Sequence, residues 1–420
     1  MIGYKSLARL FFIVLLSLST YVYADPLYQI ETDGKSAVTI KRLLAEPTTK
    51  ELIVGKLTIN KLSKNIKQIE IPLKRNLVVR SKMVSFDENK KDSVVWTGNI
   101  LSVKSDEKTE GQFENSPLNY VTLVEANHRL TGIVSIKGDI YSIVPLNEKQ
   151  MAVITIDSRK FPVEAEPITP DDADSTSIPT DTQTETKPPP ANLATPSLIQ
   201  IAFIFTPEAR QAIGTENLLA YTRLAETLLR DNVRNSGLAI DFRLFPAHSS
   251  VSEGNSNFRQ QLAELQNPNT PRGQEAANIR QRYSSQLVSL VTTRNEYCGI
   301  GYRLNGSIHH FRYFGFSGVN YGCASWGYTL PHEIGHNMGA QHNPENGTNR
   351  YFPFGYSFRF TGQPAWRTVM ALECPSVNCV RINSFSSPNR LHNGIPMGSP
   401  TQDNTRVLDQ TRHNAAIAFP

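Results

Sequence analysis

Cysteine is scarce in this chain of 420 residues, which has only Cys298, Cys323, Cys374 and Cys379. Residues 25–196 contain none, so no thiolate from that stretch can cap a metal further along. No two cysteines stand at close CxxC spacing, which disfavours a cysteine zinc cluster. Four cysteines allow three pairings, and proximity along the chain favours Cys298 with Cys323 and Cys374 with Cys379. Lysine stops at Lys187; every later basic residue is arginine. That change marks two segments of different composition. Net charge is small, +5 at pH 7, and does not call for nucleic acid or an anionic membrane as partner. Beyond the first 24 residues no apolar run approaches the about 20 residues of a membrane span.

The start of the chain reads as an export signal. Lys5 and Arg9 precede the apolar run Leu10 to Leu18, and Val22-Tyr23-Ala24 supplies a cleavage site after Ala24. A membrane anchor is the competing reading, but the run is short for one. Export permits disulfides. The mature chain is expected as a soluble monomer, secreted or periplasmic.

Residues 25–165 are dense in β-formers, as in Tyr120 to Val124 and Met151 to Ile156. Thr131 to Ile136 and Ile140 to Val144, joined through Lys137-Gly138-Asp139, predict a hairpin. No amphipathic helix is expected there. Residues 166–196 are rich in Pro, Thr, Ser and Asp and read as an exposed linker. From 197 to 420 the pattern is mixed α/β. Strands are expected at 198–205, 238–245 and 286–291, and helices at 216–236, 274–283 and 405–419.

The chemistry concentrates in Pro331-His332-Glu333-Ile334-Gly335-His336-Asn337-Met338-Gly339-Ala340-Gln341-His342. Residues four apart on a helix share a face, so His332 and His336 can reach one metal with Glu333 beside them. Gly339 permits a positive φ that ends the helix and turns the chain back, bringing in His342. Three protein ligands leave a position open for water, the mark of a catalytic site. A core helix with buried histidines is the bland alternative. It would bury three histidines and a carboxylate at considerable cost. Met370 follows His342 by 28 residues, after a predicted hairpin at 356–369. His309 and His310 read as edge-strand residues, and His128, His248, His392 and His413 as surface residues.

The extended HExxHxxGxxH motif with Met370 placed like a Met-turn resembles the metzincin clan of zinc metallopeptidases. The region 198–418 is similar to bacterial reprolysin-like enzymes and, among them, to the peptidyl-Asp metallopeptidases. Ile201 to Pro207, Cys298-Gly299-Ile300-Gly301 and Ser384 to Pro388 carry that likeness. The segment before the linker is more weakly similar to precursor segments of these enzymes. The resemblance implies an α/β (α+β) metzincin-like catalytic domain, with a twisted mixed sheet and a zinc-motif helix, preceded by a β-rich precursor segment. It implies one catalytic zinc ion; no motif speaks for or against calcium. Two positions depart from relatives in the clan: Asn343 replaces Asp and Leu372 replaces Tyr, so no fifth protein ligand is expected.

The function expected is a zymogen of a zinc endopeptidase acting on protein or peptide substrates through a zinc-bound water, with Glu333 as base. Substrate is expected to add to an edge strand at 310–319. The likeness to peptidyl-Asp enzymes implies cleavage before acidic residues, and Arg381 is the only basic residue in the stretch 371–388 that would line the pocket. Two alternatives use the same residues: an inactive secreted zinc-binding module, and a zinc hydrolase of a non-peptide bond.

Overall fold

The computed structural model describes residues 24–31, 38–59, 61–90, 92–106, 109–111, 113, 116–170 and 195–419. The expected export signal lies outside them, apart from Ala24, and so does most of the expected linker.

Alternation builds the N-terminal half. In Gln68–Lys74 the buried positions are Ile69, Ile71 and Leu73, every second residue, which is the strand period. Eleven strands form one sheet. The chain at 25–31 pairs in parallel with Gln68–Lys74 at one end and antiparallel with Thr49–Leu57 at the other, so the sheet curls back on itself. Strand Gln150–Ile156 is buried almost throughout because its two faces meet different cores. Met151 and Val153 point into the curl. Ala152, Ile154 and Ile156 join the core of the C-terminal half.

The expected hairpin forms from Arg129–Ile136 and Asp139–Pro145. Lys137 and Gly138 both have positive φ, as its two-residue turn requires. A short helix, Val38–Ala45, corrects the expectation of none; it buries only Ile40 and Leu43, too few apolar positions to show as a helical period.

The C-terminal half is mixed α/β. Its five-stranded sheet runs Ile240–His248, Ser197–Phe205, Leu287–Thr292, Phe316–Asn320, Gly299–Gly301. The first four strands are parallel and the last is antiparallel. Leu287–Thr292 is buried at all positions, as expected for a parallel strand covered on both faces. Helix Leu218–Ser236 packs on this sheet and ends at Gly237, φ 74°. Pro271–Arg282 and Asn404–Ile417 are also helical.

The edge strand lies elsewhere than expected. His309 and His310 belong to helix Ile308–Phe314, capped by Ser307. Phe316–Asn320 is an inner strand, and the outermost strand on its side of the sheet is Gly299–Gly301. The prediction missed this because Gly299-Ile300-Gly301 is too short and glycine-rich to read as a strand. His392 is buried rather than on the surface, with its ring against Trp366.

The two halves share partly buried polar contacts. Arg223 of helix Leu218–Ser236 pairs across the halves with Asp87 at 2.9 Å and, within its own helix, with Glu226. Tyr321 bonds Glu46, and Tyr120 bonds Tyr328. Among the described residues no helix is long and apolar enough to cross a membrane.

Helix Thr329–Asn337, which carries the histidine motif, is buried at every residue. Asn337 ties it to the sheet by donating to Tyr302 O at 2.8 Å and Phe316 O at 3.1 Å. Asn337→Ala should therefore lower stability by about 1–3 kcal/mol, since the Tyr302 carbonyl loses its donor and Phe316 O keeps only the Tyr302 N–H. Denaturant unfolding with an unchanged m-value checks this; an unchanged midpoint would remove Asn337 as a fastening.

Candidate metal centre

His332 and His336 face the same way one turn apart on helix Thr329–Asn337. The chain then turns at Gly339, φ 99°. A Cβ there would lie 2.6 Å from the Phe352 ring. The return brings His342 to the same point. The three Nε2 atoms stand 3.0, 3.0 and 3.2 Å apart, and all three histidines are fully buried.

The backbone sets the rings. His332 Nδ1 faces Val369 O at 3.0 Å and His336 Nδ1 faces Ala340 O at 2.9 Å. Each carbonyl accepts a proton on Nδ1, which leaves Nε2 bare. Arg381 Nη2 lies 2.7 Å from His332 Nδ1; with the proton on Nδ1 the guanidinium is a positive neighbour rather than a donor to the ring. Burial first, then Arg381, His336 and His342, hold His332 well below the usual imidazole pKa. Burial and His342 do the same for His336. Neutral rings are what a metal needs.

These donors fit a tetrahedral zinc. Nitrogens about 2.0–2.1 Å from a common centre would be about 3.3 Å apart, close to the observed spacing. Three bare lone pairs facing each other are unfavourable unless a cation lies between them.

Glu333 lies beneath the edge strand. A Cβ on Gly299 would come 2.4 Å from its Oε1, and one on Gly301 2.9 Å from its Oε2. Both glycines are therefore needed for this approach. Neither Glu333 oxygen has a hydrogen-bond partner among the described residues. Burial and the nearby Glu164 push its pKa well up, against the opposing pull of Arg381. A bare carboxylate buried beside three bare imidazole nitrogens is costly without a cation or water.

Met370 is buried below the helix. A Cβ on Gly335 would meet its Sδ at 2.4 Å, so glycine lets the thioether press against the helix between the two histidines. The backbone turns there, with Ala371 N–H donating to Thr368 O at 3.0 Å. The two departing positions touch: Leu372 N–H donates to Asn343 Oδ1 at 3.1 Å.

Arg381 sits at the centre. Its Nε donates to Val369 O at 2.9 Å, and its Nη1 to Gly327 O at 2.8 Å and Glu164 at 2.6 Å. It also heads a row across a small sheet, where Arg359 faces Arg367 and Arg367 faces Arg381. Arg367 is so desolvated, with Arg381 adding to the effect, that its pKa falls to about 9.

Both cysteine pairs stand at bonding distance as proximity suggested. Cys298–Cys323 fastens the start of the edge strand to the chain leading into the motif helix, and Cys374–Cys379 closes the loop just before Arg381.

Sequence reasoning missed Glu164 and Glu166. Glu164 lies with His332 and Glu333 in one group whose ligand atoms are within 4.8 Å. Glu166 Oε1 is 3.4 Å from His342 Nδ1. The available signal was their spacing: two apart on an extended chain, they share a face.

Residues 227–343 match the reprolysin-like metallo-peptidase family M12B. Over 90% of its length the chain is 26% identical to the "Peptidyl-Asp metalloendopeptidase" of Xanthomonas campestris pv. campestris, covering 88% of that protein. It is 26% identical to a protein of the same name from Stenotrophomonas maltophilia over 96% of this chain and 95% of that one. One from Pseudomonas fragi is 33% identical over 22% of this chain and 60% of its own. The resemblance drawn from the motif is thus upheld: residues 227–343 are similar to reprolysin-like metallopeptidases, and the chain along most of its length is similar to peptidyl-Asp metalloendopeptidases.

If His332, His336 and His342 hold the metal, His342→Ala should lower metal content and thermal stability together. Metal analysis beside a melting curve checks this. A variant with full metal content would mean that the turn at Gly339 does not deliver a ligand.

Proposed function

We propose that this chain is the precursor of a secreted or periplasmic zinc endopeptidase of metzincin type that favours cleavage before acidic residues. One observation carries the reading: three fully buried Nε2 atoms converge beside a carboxylate that has no hydrogen-bond partner among the described residues, at the foot of a sheet edge. In this reading 1–24 is the export signal, 25–165 the precursor segment, 166–196 the linker, whose start still bonds the sheet edge through Ile168, and 197–420 the catalytic domain.

His332, His336 and His342 would hold the zinc. When bound, zinc polarises a scissile carbonyl and lowers the pKa of a coordinated water to about 7. Glu333 takes a proton from water and delivers it to the leaving amine. Its burial raises its basicity. The Val369 and Ala340 carbonyls hold the rings in one orientation. Met370 supports the helix from below, in the place of a Met-turn. The Gly299–Gly301 edge offers backbone groups for an extended peptide.

Arg381 supplies the acid preference. Its side chain is largely out of water and already grips a carboxylate, which supports a role in binding rather than a solvated surface position. The loop closed by Cys374–Cys379 holds it in place.

Glu333→Ala should retain zinc and the fold but lose about 10²–10⁴-fold in turnover. Metal analysis with a casein digest checks both; near wild-type digestion would reject Glu333 as the base. Arg381→Ala should weaken cutting before Asp far more than cutting elsewhere, as read from cut sites in a peptide library by mass spectrometry. An unchanged profile, or no acidic preference in the wild type, would remove Arg381 from the pocket.

A further inference from the structure

The edge strand Gly299–Gly301 is covered by the chain itself. Cys298 N–H donates to Val163 O at 2.9 Å, and Ala165 N–H to Gly299 O at 3.2 Å. Further along, Ile168 N–H donates to Gly301 O at 3.0 Å and Arg303 N–H to Ile168 O at 2.9 Å. Both chains advance together, and Ile168 bridges Tyr302 in parallel. Residues 163–168 therefore extend the five-stranded sheet by one parallel strand, in the place where a peptide would add. Ala165 is buried there.

On an extended chain Glu164 and Glu166 project to the side opposite Ala165. Glu164 Oε1 accepts from Arg381 Nη1 at 2.6 Å and from Thr329 Oγ1 at 3.2 Å. Both side chains of the pair are nearly buried, at 7% exposure for Glu164 and 11% for Arg381. The second oxygen, Oε2, is buried without a partner among the described residues. Glu166 makes the looser contact, 3.4 Å from His342 with its side chain half exposed.

We propose that Glu164 is the chain's own occupant of the acid-binding site: it takes the Arg381 guanidinium that an acidic substrate residue needs, while residues 163–168 take the sheet edge, and together they keep the precursor latent. This rests on the reading of Arg381 as the acid-binding residue. A nearly buried pair resists the loss of either partner, because the survivor is left as an uncompensated charge. Glu164 is also tethered. Its effective concentration at Arg381 exceeds that of a free substrate until the chain is cut between 171 and 194. No thiol enters, consistent with the absence of cysteine from 25–196.

The test uses the full chain, purified before processing, with initial rates on a short fluorogenic peptide. Glu164→Gln keeps the shape and removes the charge. Its precursor should cleave faster than the wild-type precursor by about tenfold or more. Glu164→Asp should stay nearer the wild type, and Glu166→Gln should gain less than Glu164→Gln. A Glu164→Gln precursor with an unchanged melting temperature and unchanged latency would overturn the proposal. Should that variant fail to fold, the peptide of residues 161–170 decides. It should inhibit the processed protein about tenfold more strongly than its Glu164→Gln counterpart; equal inhibition overturns the proposal. Failure of the specificity reading shows separately, as a processed wild-type protein with no Arg381-dependent preference for Asp.

Discussion

Three imidazole nitrogens pointed at one buried place make a constraint that much of the surrounding structure serves. Left alone, the lone pairs of His332, His336 and His342 oppose each other at 3.0–3.2 Å. A cation turns that opposition into binding. Each neighbouring feature keeps the convergence possible. Gly339 supplies the turn and Gly335 the space for Met370, while the Val369 and Ala340 carbonyls fix the rings. Gly299 and Gly301 clear room for Glu333. A side chain at any of these glycines would displace part of the site.

Arg381 links recognition to chemistry. Val369 O accepts from both His332 and Arg381, so the guanidinium and a ligand ring share one backbone atom. The neighbouring Arg367 adds positive charge that Glu373, exposed on the surface, offsets only in part. A carboxylate entering this region meets a field already arranged for it. Glu164 is such a carboxylate.

Much of this was legible in the sequence because the motif is local. His332, Glu333 and His336 lie on one helix, and a single glycine determines the return to His342. Met370 could be placed because it follows at a short separation. The strands 197–205 and 287–292 announced themselves as short apolar runs, and the helix 218–236 by its period. What could not be read was long-range pairing. The expected edge at 310–319 proved to be a helix and an inner strand, because a three-residue glycine-rich edge carries almost no strand signal. Glu164 and Arg381 are 217 residues apart, and neither has local context that names the other. Only the fold brings the acidic pair beside the linker onto the sheet edge.

The central claim, that one zinc held by three histidines drives peptide hydrolysis, is tested most directly by returning zinc to the processed protein after a chelator has stripped it. Casein digestion is followed at each addition. Activity should vanish on stripping and return in proportion to zinc, with a break at one ion per chain. Digestion that survives complete removal of the metal, or that stays absent after one equivalent is bound, would contradict it.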